Sequence, residues 1–395
     1  MGLSNSGKAI FASIFVAWAV QFSFFLGLWN KLEYNDSSCK LLKPDVGNMQ
    51  GSEDFSVGKH YNIVISQGDL HKAFNDGSAS AKPGNIWFIN VKHDKEKLIK
   101  TTLKNFPKND LNNFHPHGIY ISNKTDLLYA VNHAQIYSGV EIFKIDYTNS
   151  PNEIILEYQH TIRSNLFKLY APNDVVEGKR KGEIYVTQWL PFGYPKLGKQ
   201  HPSTPEERLK KALLVPINAI GGKMTNVYHC KWGNKNDNEN KCKIAKGSKK
   251  FGMANGITIS VDRTKLFVND LSFKTIHIYN IDPTNDILQP SGKISLDYPV
   301  DNIEYMENGD IISGTIPHIY KAIANDYQHG KVPYIPGGIS INKKNDDDGN
   351  GGYVETHPLM HDGTKLSQIS AGTRWNNIFY LGSPFNEGVL MCQMD

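Results

Sequence analysis

Cysteine is scarce: four in 395 residues, with no two in a CxxC spacing. No HExxH occurs either, which argues against a structural zinc site. Charge of one sign is also missing, since 43 Lys+Arg face 39 Asp+Glu for a formal net of +4. That balance gives no electrostatic footprint for nucleic acid, and none is expected as a partner. Long apolar runs are missing but for one, and mean hydropathy is -0.42, which excludes a polytopic membrane protein. Hydrophobic residues at 39% and charged residues at 21% exclude a disordered or collagen-like chain. What is present is the chemistry of strands and turns: 34 Gly and 19 Tyr, with Val and Ile throughout. At about 150 residues per domain the length allows two or three domains, or one large all-β domain.

The single long run is Ala9 to Trp29, 21 residues without a charge. As a helix it would measure about 32 Å, enough for a bilayer core of about 30 Å. It is long for the core of a cleaved signal, and no small-x-small site closes it. We expect an uncleaved signal anchor over residues 1–30, meeting the membrane through residues 9–29. Residues 31–395 would then form one domain in the secretory lumen or outside the cell. The alternative is a cleaved signal and a secreted chain. Cys39 lies just after the run and Cys392 close to the end, while Cys230 and Cys242 sit twelve apart in a Lys/Asn-rich loop. An even count of this kind reads as two disulfides in an oxidising compartment, although four cysteines allow three connectivities. Asn35 and Asn123 each open a glycosylation sequon.

From about Gly51 the chain is short alternating runs between turn residues. His117-Gly-Ile-Tyr-Ile-Ser leads into Leu127-Leu-Tyr-Ala-Val and then Val140-Glu-Ile-Phe-Lys-Ile. Asn255-Gly-Ile-Thr-Ile-Ser leads into Lys265-Leu-Phe-Val-Asn and then Thr275-Ile-His-Ile-Tyr. A meander recurring every 45–60 residues or so is how a propeller blade reads. The expected fold is therefore all-β: a six-bladed β-propeller with an N-terminal hydrophobic anchor helix and short lid helices. The first strand of each blade lines the channel. Glu53, His117, Asn173, Asn255 and Asn302 open such strands and would meet at one end. Between residues 190 and 250 the pattern breaks. Ser203-Thr-Pro-Glu-Glu is a helix start, and Arg208 to Val215 continues as a short helix, a lid over the channel mouth, a membrane-surface contact or a solvated surface insertion. Asn345-Asp-Asp-Asp-Gly-Asn looks like a calcium loop, but His357 stands where a bidentate Glu is needed, so it reads as a solvated turn.

Acid, amide and backbone oxygens suit Ca²⁺, which takes six to eight oxygen ligands. Such an ion can polarise a carbonyl, and an imidazole can take a proton from water. At these residues the chain resembles the paraoxonase/arylesterase family. The resemblance runs from Cys39 to Cys392 and rests on Gly51-Ser-Glu-Asp, Pro116-His-Gly-Ile, Val131-Asn-His133, Pro172-Asn-Asp-Val, Ala254-Asn-Gly-Ile and Val300-Asp-Asn-Ile. Each is weak alone; six in the same order are specific. The resemblance implies a six-bladed propeller with two calcium ions in its channel. Glu53, Asn173, Asn255, Asp301 and Asn302 match the ligands of a catalytic calcium. Asp54, Asp174 and the Ile119 carbonyl match those of a buried structural one. His117 and His133 match the proposed dyad, and Cys39 with Cys392 the disulfide joining the chain ends. The implied activity is hydrolysis of a small lactone or aryl ester.

The departures fall around the pocket. His115 stands where the family usually has Asn, making His115-Pro-His117 a possible zinc pair with His133 as third ligand. Thr315 replaces a free cysteine and Ile316 the His beside it, and Gln188-Trp189 replaces an Asn-Asp pair. Substrate preference is therefore not carried over. A rival expectation is a non-catalytic, membrane-anchored accessory protein or chaperone that binds a membrane partner.

Overall fold

The computed structural model of the chain describes residues 16, 19–20, 22–35, 38–76, 81–134, 137–193, 209, 221–233, 241–327, 332–345 and 352–394. Its strands form six sheets, the blades of a propeller. Blade 1 is Phe55–Val57, Asn62–Gln67, Asn85–Asn90 and Ile99–Lys100. Blade 2 is Pro116–Ser122, Leu127–His133, Ser138–Asp146 and Ile155–Arg163, with Thr102–Lys104 added in parallel at its outer edge. Blade 3 is Pro172–Glu177, Glu183–Gln188, Val227–Lys231 and Lys241–Ile244. Blade 4 is Ala254–Ile259, Lys265–Asp270, Thr275–Ile281 and Leu288–Ser295. Blade 5 is Val300–Tyr305, Ile311–Thr315, Gly337–Asn345 and Gly352–His361. Blade 6 takes Ala371–Trp375, Ile378–Gly382 and Val389–Gln393 from the end of the chain and its outer strand, Cys39–Leu42, from the beginning.

The alternation of side chains explains why the blades stack. Successive residues of a strand face opposite sides of the sheet. In blade 1, Ile63 and Ile65 pack toward blade 6 while Val64 packs toward blade 2. In blade 4, Leu266 and Val268 face blade 3 while Phe267 faces blade 5. The middle strands thus read as nearly continuous apolar runs because both faces are buried. Six apolar clusters fill the blade junctions, one between each pair of neighbouring blades. Each fully buried Ile or Phe contributes about 1.5–3 kcal/mol, so truncating one loosens a single junction rather than the whole ring.

The ring is closed twice at blade 6. Cys39 pairs in register with Cys392, and their sulfurs are bonded across 353 residues of sequence. Cys230 and Cys242 face each other in blade 3 and are also bonded. The connectivity left open by the sequence is thereby settled.

Apart from the helical residues among 16–26 and Leu209, the described helices are short: Leu70–Asp76, Lys108–Leu111 and Ile319–Tyr327. The expected helix at 208–215 lies outside the described residues, apart from Leu209, and the 346–351 turn lies wholly outside them. Much of the apolar run at 9–29 is also outside. No described helix is long and apolar enough to cross a membrane. The described end of that run docks on the propeller: Phe25 and Leu26 pack with Leu271, Ile316 and Ile319. Asn30 Nδ2 donates to the Pro317 carbonyl at 2.6 Å, and His318 Nδ1 lies 3.0 Å from the Gly27 carbonyl.

Candidate active site in the channel

Four inner strands break register in the same way. In blades 2 to 5 two inner-strand residues stand opposite one residue of the next strand: His117-Gly118, Asn173-Asp174, Asn255-Gly256 and Asp301-Asn302. These are β-bulges, which re-aim side chains and interrupt the ladder. In blade 1 the equivalent pair, Glu53-Asp54, immediately precedes the strand. Nearly every residue expected to carry chemistry therefore sits in a bulge or beside one. Two bulges need glycine. A Cβ on Gly118 would lie 2.5 Å from the Asp174 Cα, and one on Gly256 would lie 2.6 Å from the Ile303 nitrogen. Their absence lets neighbouring bulges close on one another.

The bulges interlock. Asp54 Oδ2 accepts from the Ile119 N–H at 2.7 Å, and Asp174 Oδ2 from the Ile257 N–H at 2.8 Å, each reaching the next blade. Asp54 and Asp174 are adjacent enough to repel. Burial first, then Asp174 and Glu53, raise the Asp54 pKa well above the carboxylate range; burial and Glu53 do the same to Asp174. Asp301 is raised by burial, Glu53 and Asp174, against a hydrogen bond from Asn255. Ile119 is brought to Asp54 through its N–H, so its carbonyl enters only with the functional reading below.

Above these, Asn302 Nδ2 donates to Glu53 Oε1 at 2.8 Å and to the Glu53 carbonyl at 3.0 Å. Ser370, just before the inner strand of blade 6, donates to the same carbonyl at 2.8 Å. Five side-chain oxygens here are buried without a hydrogen-bond partner: Glu53 Oε2, Asn173 Oδ1, Asn255 Oδ1, Asp301 Oδ1 and Asn302 Oδ1. Native proteins pair such atoms unless an ion or water takes them. Two carboxylate and three amide oxygens are the donors of a hard divalent cation, so the residues fit such an ion. Among the described residues two further His/carboxylate clusters, Glu183-His229-Asp286 and Asp297-Glu355-His357, are separate from this set.

The imidazoles join the oxygens. His117 Nδ1 lies 2.9 Å from His133 Nε2, and His133 Nδ1 lies 3.0 Å from Ser138 Oγ, which also accepts from the Tyr170 N–H at 2.8 Å. On its other side His117 Nε2 is 3.3 Å from Glu53 Oε1 and 3.5 Å from Asn173 Nδ2. Burial, then His117 and His115, hold the His133 pKa well below the usual imidazole value. His115 enters through its backbone, its N–H donating to Asn132 Oδ1 at 2.8 Å and its carbonyl accepting from the His133 N–H at 3.2 Å.

Aromatic rings wall the pair. Phe74, on the helix Leu70–Asp76, lies 5.9 Å from His117, 5.4 Å from His133, 5.3 Å from Tyr170 and 6.0 Å from Trp189, centroid to centroid. Trp189 is fixed by its Nε1 donating to the Tyr170 carbonyl at 2.9 Å. Gln188 turns away, donating to the Leu190 carbonyl at 2.7 Å, and Thr315 is fully buried. Sequence reasoning missed Phe74, Ser138 and Ser370, none of which stands in a recurring pattern. Asn35 and Asn123 are both exposed; Asn35 is tied to the outer strand of blade 5, and Asn123 lies in the turn after the inner strand of blade 2.

A six-bladed propeller whose channel ends in unpaired oxygens and a histidine pair defines a class of channel-site propeller. The profile of the Arylesterase family matches residues 35–189 and 237–335, and the chain belongs to that family. It is 29% identical to rat serum paraoxonase/lactonase 3 over 293 residues, 72% of this chain and 71% of that one. It is 29% identical to human serum paraoxonase/arylesterase 2 over 297 residues, 73% and 72% of the two chains. Among solved structures, a gluconolactonase of Xanthomonas campestris superposes with a TM-score of 0.48 at 11% identity, over 93% of this chain and 98% of that one.

Proposed function

We propose that the chain is a calcium-dependent hydrolase of lactones and aryl esters. The observation that carries this is the set of five orphaned oxygens beside the His117–His133 pair. Glu53, Asn173, Asn255, Asp301 and Asn302 would hold one calcium; Asp54, Asp174 and the Ile119 carbonyl would hold a second. Calcium bound by the first set supplies an electrophile for a substrate carbonyl and for the charge that develops on its oxygen.

The remaining work falls to the chain. With the His133 Nδ1–H donated to Ser138, His133 Nε2 accepts the proton of His117 Nδ1. That tautomer leaves a lone pair on His117 Nε2, facing the oxygen cluster. His117 Nε2 takes the proton from an attacking water, and Glu53 3.3 Å away stabilises the imidazolium. His133, kept neutral by burial, can accept the Nδ1 proton of His117 while the charge lasts. Phe74, Tyr170 and Trp189 exclude bulk water and offer apolar contact to an acyl chain or aryl ring. Hydroxide attack opens the ester bond, and the proton on His117 is returned to the leaving alkoxide.

The apolar amino terminus fits a membrane anchor that places the channel mouth beside the bilayer, because residues 25–26 rest on the same end of the propeller as the site.

The test is hydrolysis of a lactone panel and phenyl acetate by the full chain, with and without EGTA, in wild type and His117→Ala. Turnover should require calcium and fall about 10²- to 10⁴-fold in the variant, with calcium content unchanged. Loss of calcium from the variant would move His117 from base to ligand. A folded, calcium-loaded chain inert on every substrate would favour the accessory-protein reading, to be followed by capture of its membrane partner.

A further inference from the structure

The middle-strand residue that faces each bulge differs from blade to blade. In blade 1, where the equivalent pair precedes the strand, and in blade 3 it is Ser66 or Thr187, whose hydroxyl accepts from the aspartate of its own blade: the Asp54 N–H at 3.0 Å and the Asp174 N–H at 3.0 Å. In blades 2 and 5 it is Val131 or Gly314, with no polar side chain to offer. In blade 4 it is Asn269, and Asn269 does something else. Its Nδ2 crosses to the next blade and donates to the Val300 carbonyl at 2.5 Å and the Asp301 carbonyl at 2.9 Å. One amide thus grips the backbone on both sides of Asp301. Asn269 is fully buried, and its Oδ1 has no hydrogen-bond partner.

That arrangement is costly, because a buried amide oxygen without a partner forfeits its hydration. It also answers a need. Asp301 stands in a bulge, where ladder bonds are interrupted. Its carboxylate is repelled by Glu53 and Asp174. Left to itself, the segment would relax away from the cluster. We propose that Asn269 is a positioning residue of the metal centre, holding the Asp301 peptide so that its carboxylate stays beside Glu53 and Asn255. The inference rests on the calcium reading above. It adds a residue that the six sequence signatures do not contain and that no bulge carries.

The experiment compares wild type, Asn269→Leu and Asn342→Leu in the full chain. Asn342 is a control: it too is fully buried with an orphaned Oδ1, but its Nδ2 reaches only Ser340 Oγ, at 3.4 Å, in the third strand of blade 5. Calcium dissociation constants are read by competition with a chelating dye, and the melting temperature of the calcium-free protein is read alongside. Asn269→Leu should weaken calcium at one site by tenfold or more while the calcium-free protein still folds and melts cooperatively. Asn342→Leu should leave affinity within twofold. Wild-type affinity in Asn269→Leu, or equal weakening in both variants, overturns the proposal. Should Asn269→Leu fail to fold, Asn269→Ser keeps one donor and should bind calcium with intermediate affinity; wild-type affinity there overturns it equally. A wild type that takes no calcium would instead remove the functional reading beneath it.

Discussion

At the lower end of the channel Glu177, fully buried, receives Arg263 at 2.7 Å, Tyr129 at 2.9 Å and Ser122 at 2.5 Å. Arg263 in turn donates to Ser122 and to the Gly178 carbonyl. At the upper end Glu53, Asp54, Asp174 and Asp301 lie together, and among the described residues none of them meets a lysine or arginine. The same tube therefore handles buried carboxylates in two ways. Below, the chain brings its own counter-charge and satisfies each oxygen. Above, it gathers four carboxylates that repel one another, gives those of Asp54 and Asp174 only backbone N–H partners, leaves an oxygen of Glu53 and of Asp301 unpaired, and leaves the counter-charge to come from outside. Two divalent cations would balance those four charges, which is why the upper end reads as a binding site and the lower end as a strut.

Removing calcium should sharpen the contrast most. With free calcium 1,000-fold above the dissociation constant, each site adds about 4 kcal/mol. Chelation of two should then lower the melting temperature by roughly 10 °C. The pH response should also invert. Without the ions, Asp54, Asp174 and Asp301 have raised pKa values, so the folded state holds protons that the unfolded chain has shed. That contribution is full below the ordinary carboxylate pKa and is lost as pH rises through the raised values. Chelated protein should accordingly melt lower at pH 8 than at pH 5, just above the ordinary carboxylate range, whereas calcium-loaded protein should gain from the rise, since binding requires the ionised form. A melting temperature indifferent to EGTA at both pH values would show that the upper carboxylates hold no calcium.

The lower end predicts the reverse pattern. Arg263→Met strands Glu177 as a buried, unpaired charge and should cost about 3–5 kcal/mol in chemical denaturation. Adding Glu177→Gln should recover much of that loss. Calcium affinity should be unchanged in both. A shift in calcium affinity would mean that the two ends are coupled through the inner strands and that the division drawn above is too sharp.

The upper end was far more legible in sequence than the lower. Five of its residues open alternating strands after a polar turn, so Glu53, His117, Asn173, Asn255 and Asn302 stand out one by one. Their convergence follows once blades are inferred, because inner strands share an axis. What the sequence does not display is the bulge, which makes two consecutive residues, such as Asp301 and Asn302, both point to useful places. Blade 6 was illegible for a related reason: Ser370 precedes a strand, Ala371–Trp375, that lacks the polar-apolar alternation of the others. Asn269 was visible as the end of an alternating run, yet its role depends on contact with the next blade, which no local pattern encodes. Arg263 and Glu177 are 86 residues apart and met no motif at all.

A second self-neutralised cluster allows a finer test. At the turn between the first two strands of blade 3, Glu183 accepts from Lys231 at 2.7 Å and from Arg180 at 3.0 Å, and Arg180 also holds Asp286. His229 lies alongside, nearly fully buried, with Nε2 4.0 Å from Glu183 Oε2 and its ring stacked on Tyr185 at 4.9 Å. Burial lowers its pKa to about 4, with Lys231, Lys243 and Arg180 adding to the effect and Glu183 opposing it. A lowered histidine pKa gives stability that is full above the unfolded value near 6.5 and lost as pH falls toward 4. The ceiling is about 3 kcal/mol, at about 1.4 kcal/mol per pKa unit. His229→Phe keeps the ring stack and removes the titration. Its stability should fall less than that of wild type between pH 6.5 and pH 4.5, by about 1–2 kcal/mol in urea denaturation. That difference should be the same with calcium and with EGTA, because this cluster carries its own cations. A difference that vanishes on chelation would show that blade 3 senses the channel ions after all.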